Sequence, residues 1–304
     1  MRIISQTLAT TLALVVTATV ADAQQKTPRK PVPLKKGYVT ANGVSYYYEI
    51  HGKGEPLLLL HGGLGSIDMF EPDIPALARN RQLIAVDLYG HGRTALTDRP
   101  VSPIDMGDDM AVVLKELGIT QSDVMGYSLG GGVALRLAVQ HPDVVRRLVL
   151  VSTPYAQSGF YPEMLPQQAM VSAAMFDQMR ETPMYLSYKA IAPRPEDFPK
   201  LLDKMGAYMK QSYDWTDDVK KLRMPVMLIY GDADMITLDH AVSFYHLIGG
   251  GLKDAGWQRE NMSKNRLAIL PNVTHYEMAM SPALVSTALP FLNGEPGALS
   301  GPGR

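Results

Sequence analysis

Ser128, His275 and the aspartates Asp232, Asp234 and Asp239 are the side chains whose types and spacing could do chemistry in this sequence. That chemistry is acyl transfer. A serine hydroxyl is a poor nucleophile until a base takes its proton, and histidine can take that proton and later return it to a leaving group. Ser128 stands in Gly126-Tyr127-Ser128-Leu129-Gly130, directly after the apolar run Val124-Met125 and before a stretch with helical spacing, Val133, Ala134, Leu137 and Ala138. Such a context calls for a sharp strand-to-helix turn that lifts the hydroxyl clear of a sheet. His275 ends Pro271-Asn272-Val273-Thr274-His275, just past the apolar Leu267 to Leu270, and is the histidine placed beyond the last strand. The acid lies after the run Val226 to Tyr230, in Gly231-Asp232-Ala233-Asp234 or at Asp239. Its task is to fix the imidazole tautomer and stabilise the imidazolium, and the residue types leave the three aspartates open. Donors for a developing oxyanion are expected from the backbone N–H of Leu129 and from the glycine-rich loop His61-Gly62-Gly63-Leu64-Gly65-Ser66, which follows the buried run Pro56 to Leu60.

Serine, then acid, then histidine, each just beyond a strand, is the triad order of the α/β-hydrolase fold family, and the chain resembles that family over about residues 38 to 292. Asp87-Leu88-Tyr89-Gly90-His91-Gly92-Arg93 is similar to the family's loop after the fourth strand, and Asp143 to Ser152 to its strand after the helix that follows the serine. The resemblance implies that Asp234, three residues past the strand-ending Gly231, is the acid, which leaves Asp232 a turn-forming role. It implies Gly63 as the second oxyanion donor, with Leu64 as the alternative, and it implies that His61 and His91 brace loops. Relatives that open epoxides or displace halide carry aspartate where this chain has Ser128, so the resemblance points to acyl transfer. Tyr127 is open between a pocket-facing and a packing role.

Positioning these groups requires strands with a shared carboxyl edge. Continuous Val, Leu and Ile runs alternating with helical spacing predict a mostly parallel central sheet covered by helices on both faces. Tyr38 to Ala41 and Val44 to Ile50 read as a hairpin around Asn42-Gly43. Asp109 to Leu117 reads as a helix with Met110, Val113, Leu114 and Leu117 on one face. Residues 38–153 and 223–292 form the expected core. Between them, 154–222 is rich in Met, Tyr and Pro and reads as a helical cap over the carboxyl edge, where open α/β sheets bind ligands. Its methionines, Met205 among them, are expected mostly to fill gaps between helices, with two or three lining an apolar pocket. Gly249 to Lys264 reads as a surface insertion and 293–304 as a loose tail.

The chain has 304 residues, a net charge of −1 and no cysteine. Nothing in that balance points to nucleic acid, and the missing thiols exclude disulfides, a cysteine nucleophile and thiolate metal sites. No metal-binding, phosphate-loop or dinucleotide motif is present, so no cofactor and no metal is implied. Residues 1–23 combine a basic start, the apolar stretch Leu8 to Val20 and the small-residue pattern Ala21-Asp22-Ala23, which reads as a cleaved secretory signal. The expected location is therefore periplasmic or secreted, without stable membrane insertion after cleavage, and 24–37 reads as an extended leader. The leading expectation is a serine hydrolase for a carboxylic ester, lactones and thioesters included, with an apolar or aromatic group. Amide or C–C bond hydrolysis and cofactor-free perhydrolysis use the same triad. A ligand receptor or carrier with vestigial turnover is the reading from another class.

Overall fold

A computed structural model describes residues 31–295; the stretch read as a signal, the first part of that read as a leader and residues 296–304 lie outside the described residues. Eight strands form one sheet: β1 Lys35–Ala41, β2 Val44–His51, β3 Glu55–Leu60, β4 Arg81–Val86, β5 Ser122–Tyr127, β6 Val145–Val151, β7 Val226–Ala233 and β8 Arg266–Thr274. Their order is β1-β2-β4-β3-β5-β6-β7-β8. β1 and β2 are antiparallel, as are β2 and β4, while β3 to β8 pair in parallel throughout. Because the parallel strands point the same way, the loops after β3, β5, β7 and β8 all emerge on one edge. Those loops carry His61 to Ser66, Ser128, Asp234 and His275.

The continuous apolar runs are explained by burial on both faces. Leu58 and Leu60 enter one hydrophobic cluster with the helices Pro103–Glu116, Leu129–Gln140 and Leu238–Leu247. Leu57 and Leu59 point the other way, into a cluster with Phe70, Ile74, Leu77, Leu284 and Leu292. Alternation in a strand sends neighbours to opposite faces, so a strand between two helical layers must be apolar at every position. Burying each such leucine contributes about 1.5–3 kcal/mol.

The hairpin turns at Asn42 and Gly43, both with positive φ (47° and 84°), the geometry that an Asn-Gly type I′ turn supplies. Asp109 ties this turn to the helical layer, accepting from Asn42 Nδ2 at 2.8 Å and from the Tyr46 hydroxyl at 2.5 Å. Several elements are longer than expected. β1 begins at Lys35, inside the stretch read as leader, because Lys35 pairs with Ile50. The helix expected from Asp109 starts at Pro103, with Ser102 accepting from the Asp105 N–H as N-cap. β7 runs on to Ala233 and β8 to Thr274, with a register shift at Gly231/Ala233, so the stretches read as loops pair with each other.

Residues 154–222 hold short helices, of which Pro183–Ile191 and Phe198–Met209 are the longest. In the latter, Phe198, Leu201, Leu202 and Met205 share one buried face. The other methionines divide: Met170 and Met184 are exposed, whereas Met205 is buried. Two single bridges, Ala156 with Asp214 and Phe160 with Ile236, join this segment to itself and to the loop after β7. Gly249 to Lys264 holds no helix or strand, and its Trp257 is fully exposed.

Candidate active site

Ser128 joins β5 to the helix Leu129–Gln140 with φ 53° and ψ −115°, a strained conformation for a residue with a side chain. Its neighbours must be glycine for steric reasons. A Cβ on Gly126 would lie 2.2 Å from the Gly130 carbonyl oxygen, and one on Gly130 would lie 2.5 Å from the carbonyl oxygens of Leu60 and His61. The turn is therefore held tight between β5 and the end of β3, and Ser128 is left half-buried at the carboxyl edge.

His275, past the end of β8, places Nε2 3.0 Å from Ser128 Oγ and Nδ1 2.8 Å from Asp234 Oδ1. With the proton on Nδ1, that nitrogen donates to the carboxylate and Nε2 is free to accept from the serine hydroxyl. Asp234 is buried, which alone would raise its carboxyl. The His275 hydrogen bond and charge, then the Ser152 hydroxyl and the Gly231 N–H, outweigh burial and hold it below the ordinary carboxylate range. The carboxylate is saturated with donors: Ile236 N–H at 3.3 Å reaches Oδ1, while Ser152 Oγ at 2.5 Å and Gly231 N–H at 3.4 Å reach Oδ2. Ser128, His275 and Asp234 are thus brought together. Asp232 is not: it is exposed and accepts from the Val273 N–H at 3.3 Å, bridging β7 and β8. Asp239 lies exposed in the first turn of the helix Leu238–Leu247.

The glycine loop after β3 packs onto the serine turn. A Cβ on Gly62 would meet the Tyr127 ring at 2.7 Å and Ser128 Cβ at 3.6 Å, and one on Gly63 would meet Leu129 Cβ at 3.9 Å and Met205 Cε at 2.9 Å. Gly63 therefore sits beside Leu129, with the cap helix above it. Gly65 N–H donates to Gly62 O at 3.2 Å and Leu64 takes φ 57°, closing a turn whose Gly63 and Leu64 N–H groups have no acceptor among the described residues. The Leu129 N–H has none either.

His61 braces this loop. Nδ1 donates to the Gly62 carbonyl at 2.7 Å and Nε2 accepts from the Leu88 N–H at 2.9 Å, and burial pushes the imidazole down to about 4. His91, packed 5.5 Å away, donates from Nδ1 to Tyr89 O at 2.8 Å and is pushed down to about 3 by burial, with the nearby His61 adding to the effect. Below them Asp87 accepts from the N–H groups of Ile67 and Arg93 at 2.7 and 2.8 Å, and Arg93 reaches on to Asp68. These bonds tie the loops after β3 and β4 into one rigid support.

Two contributors were not legible in the sequence. Tyr127 is a brace: its hydroxyl donates to the His275 carbonyl at 2.5 Å, fixing the histidine loop from the residue before the serine. Ser152, at the end of β6, donates to Asp234 and is fully buried. The signal available for both was only their position at a strand end.

The sequence pattern of the α/β-hydrolase fold matches residues 55–183, the stretch that contains the glycine loop, the serine turn and the start of the cap. A carboxylesterase, CesB, from Bacillus subtilis has a similar structure, with a TM-score of 0.68 at 20% identity over 88% of this chain and 94% of that one. The chain has the α/β-hydrolase fold. Among curated relatives, it is 34% identical over 157 residues to 2-hydroxymuconate semialdehyde hydrolase from Pseudomonas sp. (strain CF600), covering 46% of this chain and 54% of that one. It is 27% identical over 253 residues to pimeloyl-[acyl-carrier protein] methyl ester esterase from Nitrosomonas europaea, covering 76% and 92%. The chain spans about half the length of several curated relatives that it matches.

Proposed function

We propose that the chain is a serine hydrolase that cleaves a carboxylic ester bearing an apolar or aromatic group, through an acyl-enzyme on Ser128. The observation that carries this reading is the unbroken pair of hydrogen bonds from Ser128 Oγ to His275 Nε2 and from His275 Nδ1 to Asp234. In the proposed reaction Ser128 Oγ attacks the ester carbonyl as its proton passes to Nε2, and Asp234 stabilises the imidazolium that forms. The oxyanion is received by the N–H groups of Leu129 and Gly63, with Leu64 next in the same turn. The imidazolium then protonates the leaving alcohol, and water activated by the same imidazole releases the acid and restores the serine.

Support for an ester comes from the 27% identity with an esterase over most of both chains. A second reading, hydrolysis of a C–C bond on the same groups, is favoured by the 34% identity with 2-hydroxymuconate semialdehyde hydrolase. Export to the periplasm or beyond is part of the proposal and rests on residues 1–23 alone.

Matched ester, amide and vinylogous diketone substrates with the same acyl group, assayed with purified wild type and Ser128→Ala, test this reading. Ester turnover that exceeds both others and is lost in the variant is expected. Preferential diketone cleavage would move the assignment to the second reading, and ester turnover retained by Ser128→Ala would refute both.

A further inference from the structure

Ser152 directly follows β6 with φ 49°, in the left-handed region that side chains seldom adopt outside Asn, Asp and Gly. It is completely buried. Its N–H donates to Ile229 O on β7 at 2.8 Å, so the residue is tied to the strand that leads into Asp234. Next to it Thr153 Oγ1 fills the space above Gly131 in the helix that follows Ser128. The strained backbone has a consequence: it turns the Ser152 hydroxyl onto Asp234 Oδ2 at 2.5 Å.

We infer that Ser152 is a positioning residue for the reaction, holding the Asp234 carboxylate in the one rotation at which Oδ1 faces His275 Nδ1. The inference rests on the proposed serine mechanism for its kinetic consequence, and on the geometry alone for its effect on the Asp234–His275 pair. Of the two donors to Oδ2, the Gly231 N–H is long at 3.4 Å, so the hydroxyl is the stronger restraint. Hydrogen bonds to an ionised acceptor are about twice as strong as neutral ones, and one less donor leaves a more basic carboxylate free to rotate. The ionisable groups facing Asp234 are His275 beyond β8, Tyr127 on β5 and Tyr230 on β7. Burial raises both phenols, so each stays neutral and His275 is the partner that responds.

Ser152→Gly separates this role from a structural one, because glycine takes φ 49° without steric cost while deleting the hydroxyl. The expected result is a folded protein whose kcat falls about tenfold with KM unchanged, since one charge-assisted hydrogen bond is lost and the buried residue touches no substrate. The acidic limb of the kcat/KM profile should move to higher pH, as a more basic carboxylate holds the imidazolium more tightly. Ser152→Ala, which keeps the backbone strain, should show the same kinetic change with a lower Tm. Independently of turnover, the proton NMR signal of His275 Nδ1–H, recorded in a Ser128→Ala background with and without Ser152→Gly, should shift or broaden. Unchanged kcat, pH limb and proton signal in the glycine variant would overturn the inference. Turnover retained by Ser128→Ala would instead refute the serine mechanism, and the proton signal would still decide the role of Ser152.

Discussion

His275 can take a proton from Ser128 only in the tautomer protonated on Nδ1, and Asp234 at 2.8 Å selects that tautomer. In the proposed mechanism the three side chains therefore act as a unit. Ser128→Ala and His275→Ala should each lower turnover by several powers of ten and to a similar depth, because losses within a triad do not add. Steady-state assay of each variant and of the double variant checks this, and a double variant much worse than either single one would contradict it. Asp234→Asn should cost about 10⁴ in kcat, whereas Asp232→Asn should leave turnover near wild type. Asp232 is exposed and its one backbone contact lies between β7 and β8. The reverse ranking would place the acid at Asp232.

At the scale of elements, the cap helix Phe198–Met209 sets Met205 Cε against the loop that carries Gly63 and Leu64. In the proposed reaction, Met205→Ala should therefore open space beside the loop that carries Gly63 and favour longer acyl chains by roughly 10-fold or more in relative kcat/KM. Met184→Ala, on the exposed side of the cap, should leave the ranking unchanged. A graded series of ester chain lengths distinguishes the two, and equal effects on all substrates would argue against this helix as the specificity element. The same elements show what a sequence can reveal. Leu57 to Leu60 and Val226 to Tyr230 were legible as strands because both sheet faces are buried, and the chemistry-bearing residues were legible because they follow such runs. The ends of β7 and β8 were not, since their continuation depends on pairing across 41 residues. Tyr127 and Ser152 act on partners 148 and 82 residues away, a distance over which local pattern carries no information. The cap helices were legible only as a composition, because several span a single turn and show no period.

At the scale of the whole molecule, burial depresses three imidazoles: His61 to about 4, His91 to about 3 and His240 to about 4. In the unfolded chain an imidazole takes up its proton near about 6.5. As pH falls below that value the unfolded state binds more protons than the folded one, so stability decreases, by up to about 1.4 kcal/mol per pH unit for each group, until protons enter the folded state near 4. Asp73, which burial raises to about 6, and Asp87, also raised by burial, act in the opposite sense and offset part of the loss. Thermal denaturation should give a lower Tm at pH 5 than at pH 7. An equal or higher Tm at pH 5 would contradict the neutral burial of these histidines. His240 adds a local effect, since its Nε2 accepts from the Tyr155 N–H at 3.1 Å where the chain leaves β6 for the cap.

The proposed acyl-enzyme is the intermediate on which the proposed roles at this site depend, and it can be weighed directly. Purified protein mixed with an excess of an aryl ester, quenched in acid within milliseconds and measured by intact-mass and peptide mass spectrometry, should carry one acyl group on the peptide containing Ser128. Ser128→Ala should carry none. Turnover of the ester with no adduct at Ser128 at any quench time, under conditions where product release shows an initial burst, would contradict nucleophilic catalysis by this serine.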